Sequence, residues 1–139
     1  MQVQKRSKKR EAILSCLRST TSHPTADWVY SRLKPEIPNL SMGTVYRNLA
    51  MFKRAGVISM VGVVNGMERF DANITPHVHF VCTHCDAVID VEDMEVPTHL
   101  ASALTCGCAS DCSLIFHGVC NTCIDSDAVQ YKNLGGNVV

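Results

Sequence analysis

Residues 41–56 read Ser-Met-Gly-Thr-Val-Tyr-Arg-Asn-Leu-Ala-Met-Phe-Lys-Arg-Ala-Gly, a helix with a signal at each end. Ser41 is suited to cap the N-terminus with its side chain, and Gly56 suits a left-handed C-terminal stop. At about 100° per residue, Val45, Leu49 and Phe52 fall within about 60° of one another and form a buried stripe. Arg47 and Arg54 lie on the opposite side, with the small Gly43 and Ala50 between them. A face of small residues framed by arginines can approach a DNA groove closely.

Upstream, Ala12, Ile13, Leu14, Cys16 and Leu17 recur at helical spacing and predict a helix over residues 7–19. Cys16 lies on its apolar face and reads as core. His23-Pro24-Thr25 is a break, and Thr25 can cap a second helix carrying Trp28, Val29 and Leu33, which Pro35 and Pro38 terminate. Downstream of Gly56 the period changes. Residues 57–61 and 67–70 read as two short strands joined by Asn65-Gly66, a pair that tolerates positive φ at both positions of a hairpin turn. Three helices followed by a β-hairpin make a winged helix-turn-helix, whose third helix enters the major groove. Tyr46 and Arg47 are then the first candidates for base or backbone contact, and Asn48, nearer the buried edge, is a further one. Ser41 and Thr44 stand where helical N–H groups favour phosphate. The basic arm Lys5–Arg10 is a solvated tail or a further phosphate contact.

Length and charge agree with two small lobes. The chain has 139 residues, and 46% apolar with 19% charged residues excludes a disordered chain. No apolar run approaches the roughly 18–20 residues of a membrane span, and the basic N-terminus is followed by no apolar segment of a secretory signal. A reducing, cytoplasmic setting is expected. The net charge of zero conceals a division. Residues 1–70 carry 12 Lys/Arg against four acids, a net +8, and residues 71–139 carry Lys132 against nine acids, a net −8.

The acidic half holds Cys82-x-x-Cys85 and, after 34 intervening residues, Cys120-x-x-Cys123. Four thiolates at that spacing form a closed structural zinc site, and a segment of about 60 residues gains from such a staple. The rival readings are a redox C-x-x-C or two disulfides. Immediately upstream, His77 and His79 lie two apart in a strand and share a face, while Val78 and Phe80 turn to the core. The following strand, residues 87–91, folds back and brings Asp90 toward them, and Asp71 precedes them. Nitrogen and carboxylate donors without thiolate suit Fe²⁺, Mn²⁺ or Zn²⁺ at a second site. The expected division is a winged-helix domain over 1–70, a hinge over 71–76, a zinc-stapled domain over 77–125 and a tail over 126–139.

These strings resemble the ferric uptake regulator family. The likeness runs through His23-Pro-Thr-Ala-Asp27, Ser41 to Leu49, Arg69-Phe-Asp71, His77-Val-His79-Phe-Val-Cys82-Thr-His-Cys85 and Gly118-Val-Cys120-Asn-Thr-Cys123, and spans residues 7–123. The resemblance implies an α+β homodimeric repressor, with an N-terminal winged helix on an inverted-repeat operator and a small C-terminal α/β dimerisation domain. It also implies a regulatory metal, Fe²⁺ or Mn²⁺, held by His23, Asp71, His77, His79 and Asp90, so that one ion clamps two lobes. Aspartate at positions 71 and 90 resembles the peroxide-sensing branch, in which His23 or His77 would be oxidised when the ion is Fe²⁺ and repression would end. Mn²⁺ would support DNA binding without that chemistry. An iron- or zinc-level sensor is the rival on the same scaffold.

Three departures stand out. Val78 and Cys112 replace an aspartate and a histidine of a further family metal site, and Asp86 stands where glycine usually follows the first C-x-x-C. Cys106-Gly-Cys108-Ala-Ser-Asp-Cys112 has no family counterpart. It reads as a loop of small residues, or alternatively as an extra thiolate site or redox pair with His99 or His117. His84 is expected to face solvent without a role. A thiol redox enzyme or redox-switched chaperone would need an exposed cysteine of low pKa, and leaves the helix-turn-helix without a purpose. A non-enzymatic regulator with no membrane partner is expected.

Overall fold

The computed structural model describes residues 7–127 and 131–135. The chain divides into two compact units, Met1–Thr75 and Pro76–Val139. Lys5 and Arg6 of the basic arm, and residues 128–130 and 136–139 of the expected tail, lie outside the described residues.

The first unit contains α1 (Lys8–Arg18), α2 (Ala26–Leu33), α3 (Met42–Arg54), β1 (Ser59–Val64) and β2 (Met67–Asp71). Each helix starts on a hydroxyl cap that satisfies an otherwise orphaned N–H. Ser7 Oγ accepts from Arg10 N at 3.3 Å, Thr25 Oγ1 from Trp28 N at 3.1 Å, and Ser41 Oγ from Thr44 N at 3.1 Å. The apolar stripes meet in one core that includes Ile13, Leu17, Val29, Leu40, Val45 and Leu49, with Cys16 buried among them. Burial pushes the Cys16 thiol up, and a nearby Arg32 only partly offsets this.

Several boundaries differ from the sequence reading, and the two strands run on to Val64 and Asp71. α3 ends at Arg54, with Ala55 as its cap and Gly56 beyond it at φ 71°. The first strand begins at Ser59 rather than at 57, because the Val57 and Ile58 amides return to the Phe52 carbonyl at 2.9 and 3.4 Å and finish the helix. Asn65 and Gly66 both take positive φ, 50° and 78°, as a two-residue hairpin turn of this kind requires. β1 and β2 pair antiparallel, with a register irregularity between Met60 and Gly62.

The second unit is a three-stranded sheet in the order β4-β3-β5, from β3 (Val78–Cys82), β4 (Val88–Val91) and β5 (Ile115–Gly118). β3 and β4 are antiparallel, while β5 returns parallel to β3 after a long excursion that includes a 3-10 turn at Thr98–Ala103. α4 (Asn121–Asp127) follows, so Ser126 and Asp127 are helical where a tail was expected. Neither β5 nor α4 was anticipated. His77 immediately precedes β3 instead of opening it, and the next strand begins at Val88 instead of at 87. Gly118 is needed in β5 for close approach, since a Cβ there would meet the Phe80 ring at 3.3 Å. One core of this unit consists of Cys82, Cys120 and Cys123, flanked by Phe80, Ala87 and Val119.

Candidate functional site

The exposed face of α3 presents Ser41, Gly43, Tyr46 and Arg47, with Thr44 half-buried. Ser41 and Thr44 hydroxyls bond each other at 2.9 Å, and Arg47 Nη2 donates to Thr44 Oγ1 at 3.2 Å. The guanidinium therefore lies over the helix N-terminus, where a Cβ on residue 43 would come within 3.0 Å of it. The guanidinium is the far end of a flexible side chain, so a small side chain at 43 would displace it rather than be excluded. Asn48 turns the other way. Its Nδ2 donates to the Thr44 carbonyl at 2.8 Å and its Oδ1 accepts from Arg10 Nε at 3.4 Å, bracing α1 against α3.

In the second unit, Cys82, Cys85, Cys120 and Cys123 place their sulfurs within 4.8 Å of one another. The Cys82–Cys123 and Cys85–Cys120 sulfur separations are both 3.9 Å. A disulfide needs about 2.05 Å. A zinc tetrahedron with bonds of about 2.3 Å needs sulfurs about 3.8 Å apart, which the cluster meets. The Cys82 sulfur also accepts backbone N–H groups from Cys85 and Cys120, both at 3.4 Å.

The titration of the thiols points the same way. Burial pushes the Cys82 thiol up, but N–H groups of Cys120, Cys85 and His84, with the Cys85 thiol, outweigh it and bring it down to about 6. Burial, and then the neighbouring thiols Cys120, Cys85 and Cys82, drive Cys123 far up. Cys85 gains an N–H from Ala87 that lowers it, yet hydrogen bonding with Cys82 and burial leave it raised. Sulfurs that oppose one another's ionisation in this way fit a dication at their centre.

The nitrogen and carboxylate candidates form one group in each unit. In the first, His23 Nε2 lies 3.2 Å from Asp71 Oδ2, with both residues buried. The other carboxylate oxygen, Oδ1, accepts the Asn73 N–H at 2.8 Å, which fixes the orientation of Asp71 at the end of β2. In the second, His79 and Asp90 face each other across β3 and β4. Asp90 Oδ1 is 3.0 Å from His77 Nε2 and 3.5 Å from His79 Nε2, and the two rings stand 4.2 Å apart. Metal bonds of about 2.0–2.1 Å put neighbouring donors about 3.0–3.4 Å apart. Each group therefore has the donor types and spacing of part of a coordination shell, and none of the donors is a thiolate.

The remaining residues separate cleanly. Val78 is fully buried, so it offers no ligand and fills the core as its strand position predicts. Asp86 occupies the left-handed region at φ 63°, which accounts for an aspartate where the resemblance has glycine. His84, His99 and His117 are exposed. Cys106, Cys108 and Cys112 are exposed and belong to neither metal-ligand group among the described residues. Sequence reasoning missed Arg69, half-buried in β2, whose Nε donates to the His23 carbonyl and whose Nη2 donates to the Ser22 carbonyl at 2.9 Å. The signal available was a lone arginine beside the apolar Phe70 at the end of a strand.

Comparison with known proteins adds an independent line. The profile of the ferric uptake regulator family matches residues 2–117. The peroxide-responsive repressor PerR of Staphylococcus aureus (strain USA300) is 35% identical over 118 residues, covering 84% of this chain and 80% of that one. The Campylobacter jejuni peroxide stress regulator superposes with a TM-score of 0.71 at 26% identity, covering 83% of this chain and 88% of its own. The ferric uptake regulator from Pseudomonas aeruginosa, solved with manganese, gives 0.67 at 26% identity over 84% and 90% of the two chains.

Proposed function

The chain belongs to the ferric uptake regulator family, and on that basis we propose that it is a homodimeric, metal-dependent transcriptional repressor released from its operator by hydrogen peroxide. The carrying observation is the pair of His/Asp groups, whose donor spacings of 3.0 and 3.2 Å match coordination-shell edges, with a third, 3.5 Å, just beyond them. One ion would take His23 and Asp71 from the first unit and His77, His79 and Asp90 from the second. Such shared ligation favours the relative orientation of the units in which it is possible, by its differential affinity. Cys82, Cys85, Cys120 and Cys123 hold the structural Zn²⁺, leaving Fe²⁺ or Mn²⁺ for the nitrogen and oxygen donors.

Fe²⁺ held by these donors would supply the redox chemistry that cleaves the peroxide O–O bond. Net, one peroxide oxygen would enter a ring C–H bond of His23 or His77 and the other would leave as water; the oxidised ring would be a poorer donor and its group would open. Aspartate at positions 71 and 90 supports this reading over an iron- or zinc-level sensor, together with the likeness to two peroxide-responsive regulators. The thiol-enzyme alternative needs an exposed cysteine of low pKa, whereas Cys82, the thiol held low, is fully buried. Family identity places the chain among regulators and not enzymes.

We assign the contact with a second copy of the chain to the second unit, whose exposed apolar residues include Ile89, Met94, Leu100 and Leu104. No helix among the described residues is long and apolar enough to cross a membrane. An operator-bound protein with reduced thiols has its place in the cytoplasm.

The deciding experiment is operator binding with Fe²⁺ or Mn²⁺, each with and without micromolar peroxide. We expect peroxide to release the Fe²⁺ form alone, with one added oxygen on a peptide containing His23 or His77. An Fe²⁺ form that stays bound, with both histidines unmodified, rejects the peroxide reading.

Ser41, Thr44, Tyr46 and Arg47 are assigned to the DNA face, with Asn48 bracing it from behind. Arg47→Ala is expected to weaken operator binding by about 1–3 kcal/mol and to relax base preference if it reads a base edge. Titrations at several salt concentrations separate the roles, since loss of a phosphate contact lowers the salt slope by about one.

A further inference from the structure

The geometry points to Arg69 as a positioning residue that holds His23 in its ligand-presenting backbone conformation. This rests on the reading of His23 as a regulatory ligand.

His23 has φ 55°, in the left-handed region that non-glycine residues seldom occupy. Such a conformation persists only where surrounding contacts over-determine it. Here three successive carbonyls are gripped by two successive residues of β2. Arg69 Nη2 donates to Ser22 O at 2.9 Å, Arg69 Nε donates to His23 O, and Phe70 N donates to Pro24 O at 3.0 Å. The next residue, Asp71, then meets the His23 ring at 3.2 Å. Residues 69–71 therefore fix both the backbone of His23 and its imidazole. The planar guanidinium suits this task because its fork reaches two carbonyls in a fixed geometry, which a lysine ammonium cannot reproduce. Ser22 is exposed while His23 and Pro24 are buried, so the clamp sits at the edge where this loop enters the core. Loss of the fork lets the loop relax toward ordinary φ and turns the imidazole away from Asp71.

The test is a double-mutant cycle on the full zinc-loaded chain, reading Mn²⁺ affinity by competition with a fluorescent chelator. Arg69→Gln is expected to weaken Mn²⁺ binding about 10-fold or more, the range for residues that orient a metal ligand. In a His23→Ala background the same change is expected to alter affinity less than twofold, because the clamp then has no ligand to present. A merely structural role would give the same loss in both backgrounds, and that result overturns the proposal. If His23→Ala weakens Mn²⁺ binding but Arg69→Gln does not, the proposal falls and the ligand reading stands. If His23→Ala leaves affinity unchanged, the ligand reading itself fails and takes this proposal with it. Melting of the Mn²⁺-free variants accompanies the cycle, and Arg69→Lys, which keeps charge and length, replaces Arg69→Gln should that variant misfold.

Discussion

A chain carrying both Cys120→Ser and Cys123→Ser is expected to lose its tightly held zinc and the fold of its second unit. The expectation follows from where the sulfurs lie. Cys82, Cys120 and Cys123 are the buried residues of one core in that unit, flanked by Phe80, Ala87 and Val119, and the further buried apolar residues described there are Val78, Val81, Val88 and Val96. Structural zinc contributes about 10–16 kcal/mol in zinc-finger peptides, as much as the usual stability of a whole small domain. Repacking of these few apolar side chains cannot replace that. The first unit has its own apolar core from Ile13 to Phe70 and is expected to keep a separate melting transition. Elemental analysis should fall from about one zinc per chain to near zero, and hydrogen exchange should lose protection across β3, β4 and β5. A variant that melts as the parent does, with β-strand protection intact, removes zinc from the account of the fold.

Asp90→Asn is expected to abolish the metal dependence of operator binding while leaving zinc content unchanged. Asp90 Oδ1 lies 3.0 Å from His77 Nε2 and 3.5 Å from His79 Nε2, so one oxygen meets both rings. Asparagine keeps the volume and removes the negative charge, and its carbonyl oxygen is a weaker donor to a hard dication. Even a residue that only orients a ligand costs about 10–100-fold in metal affinity, so a direct ligand should cost at least about 100-fold, or about 2.7 kcal/mol. Competition titration with Mn²⁺ and operator gel shifts across a metal series check both halves. Operator capture that stays equally metal-dependent places the regulatory ion elsewhere.

The first unit was legible because its signals are local. Thr25 and Ser41 announce their helices by chemistry that acts over three residues, and Asn65-Gly66 specifies its turn without help from any distant partner. The zinc cysteines were legible by spacing, and His79 and Asp90 by strand periodicity, which the β3–β4 register reproduces. What escaped was non-local or too short. Ile115-Phe-His-Gly118 has no alternation that marks an edge strand, and its parallel partner lies 36 residues earlier at His79. α4 has seven residues, without the apolar periodicity of a longer helix. Arg69 escaped for another reason. Its bonds go to carbonyls of residues 22 and 23, and backbone acceptors carry no residue-type signature.

The parallel return of β5 has a consequence for how the protein tolerates change. Residues 86–119 form a ring sealed by the ion on the four thiolates, and much of that ring, including Cys106 through Cys112, carries no regular structure. Doubling the length of such a ring costs only about 0.6 kcal/mol in closure entropy, small beside the bonds that seal it. Insertions and deletions there are therefore cheap, and the cysteine-rich stretch sits in it without interrupting the sheet. A protease that clips the ring should leave two fragments still joined through sulfur and metal, separable only by a chelator.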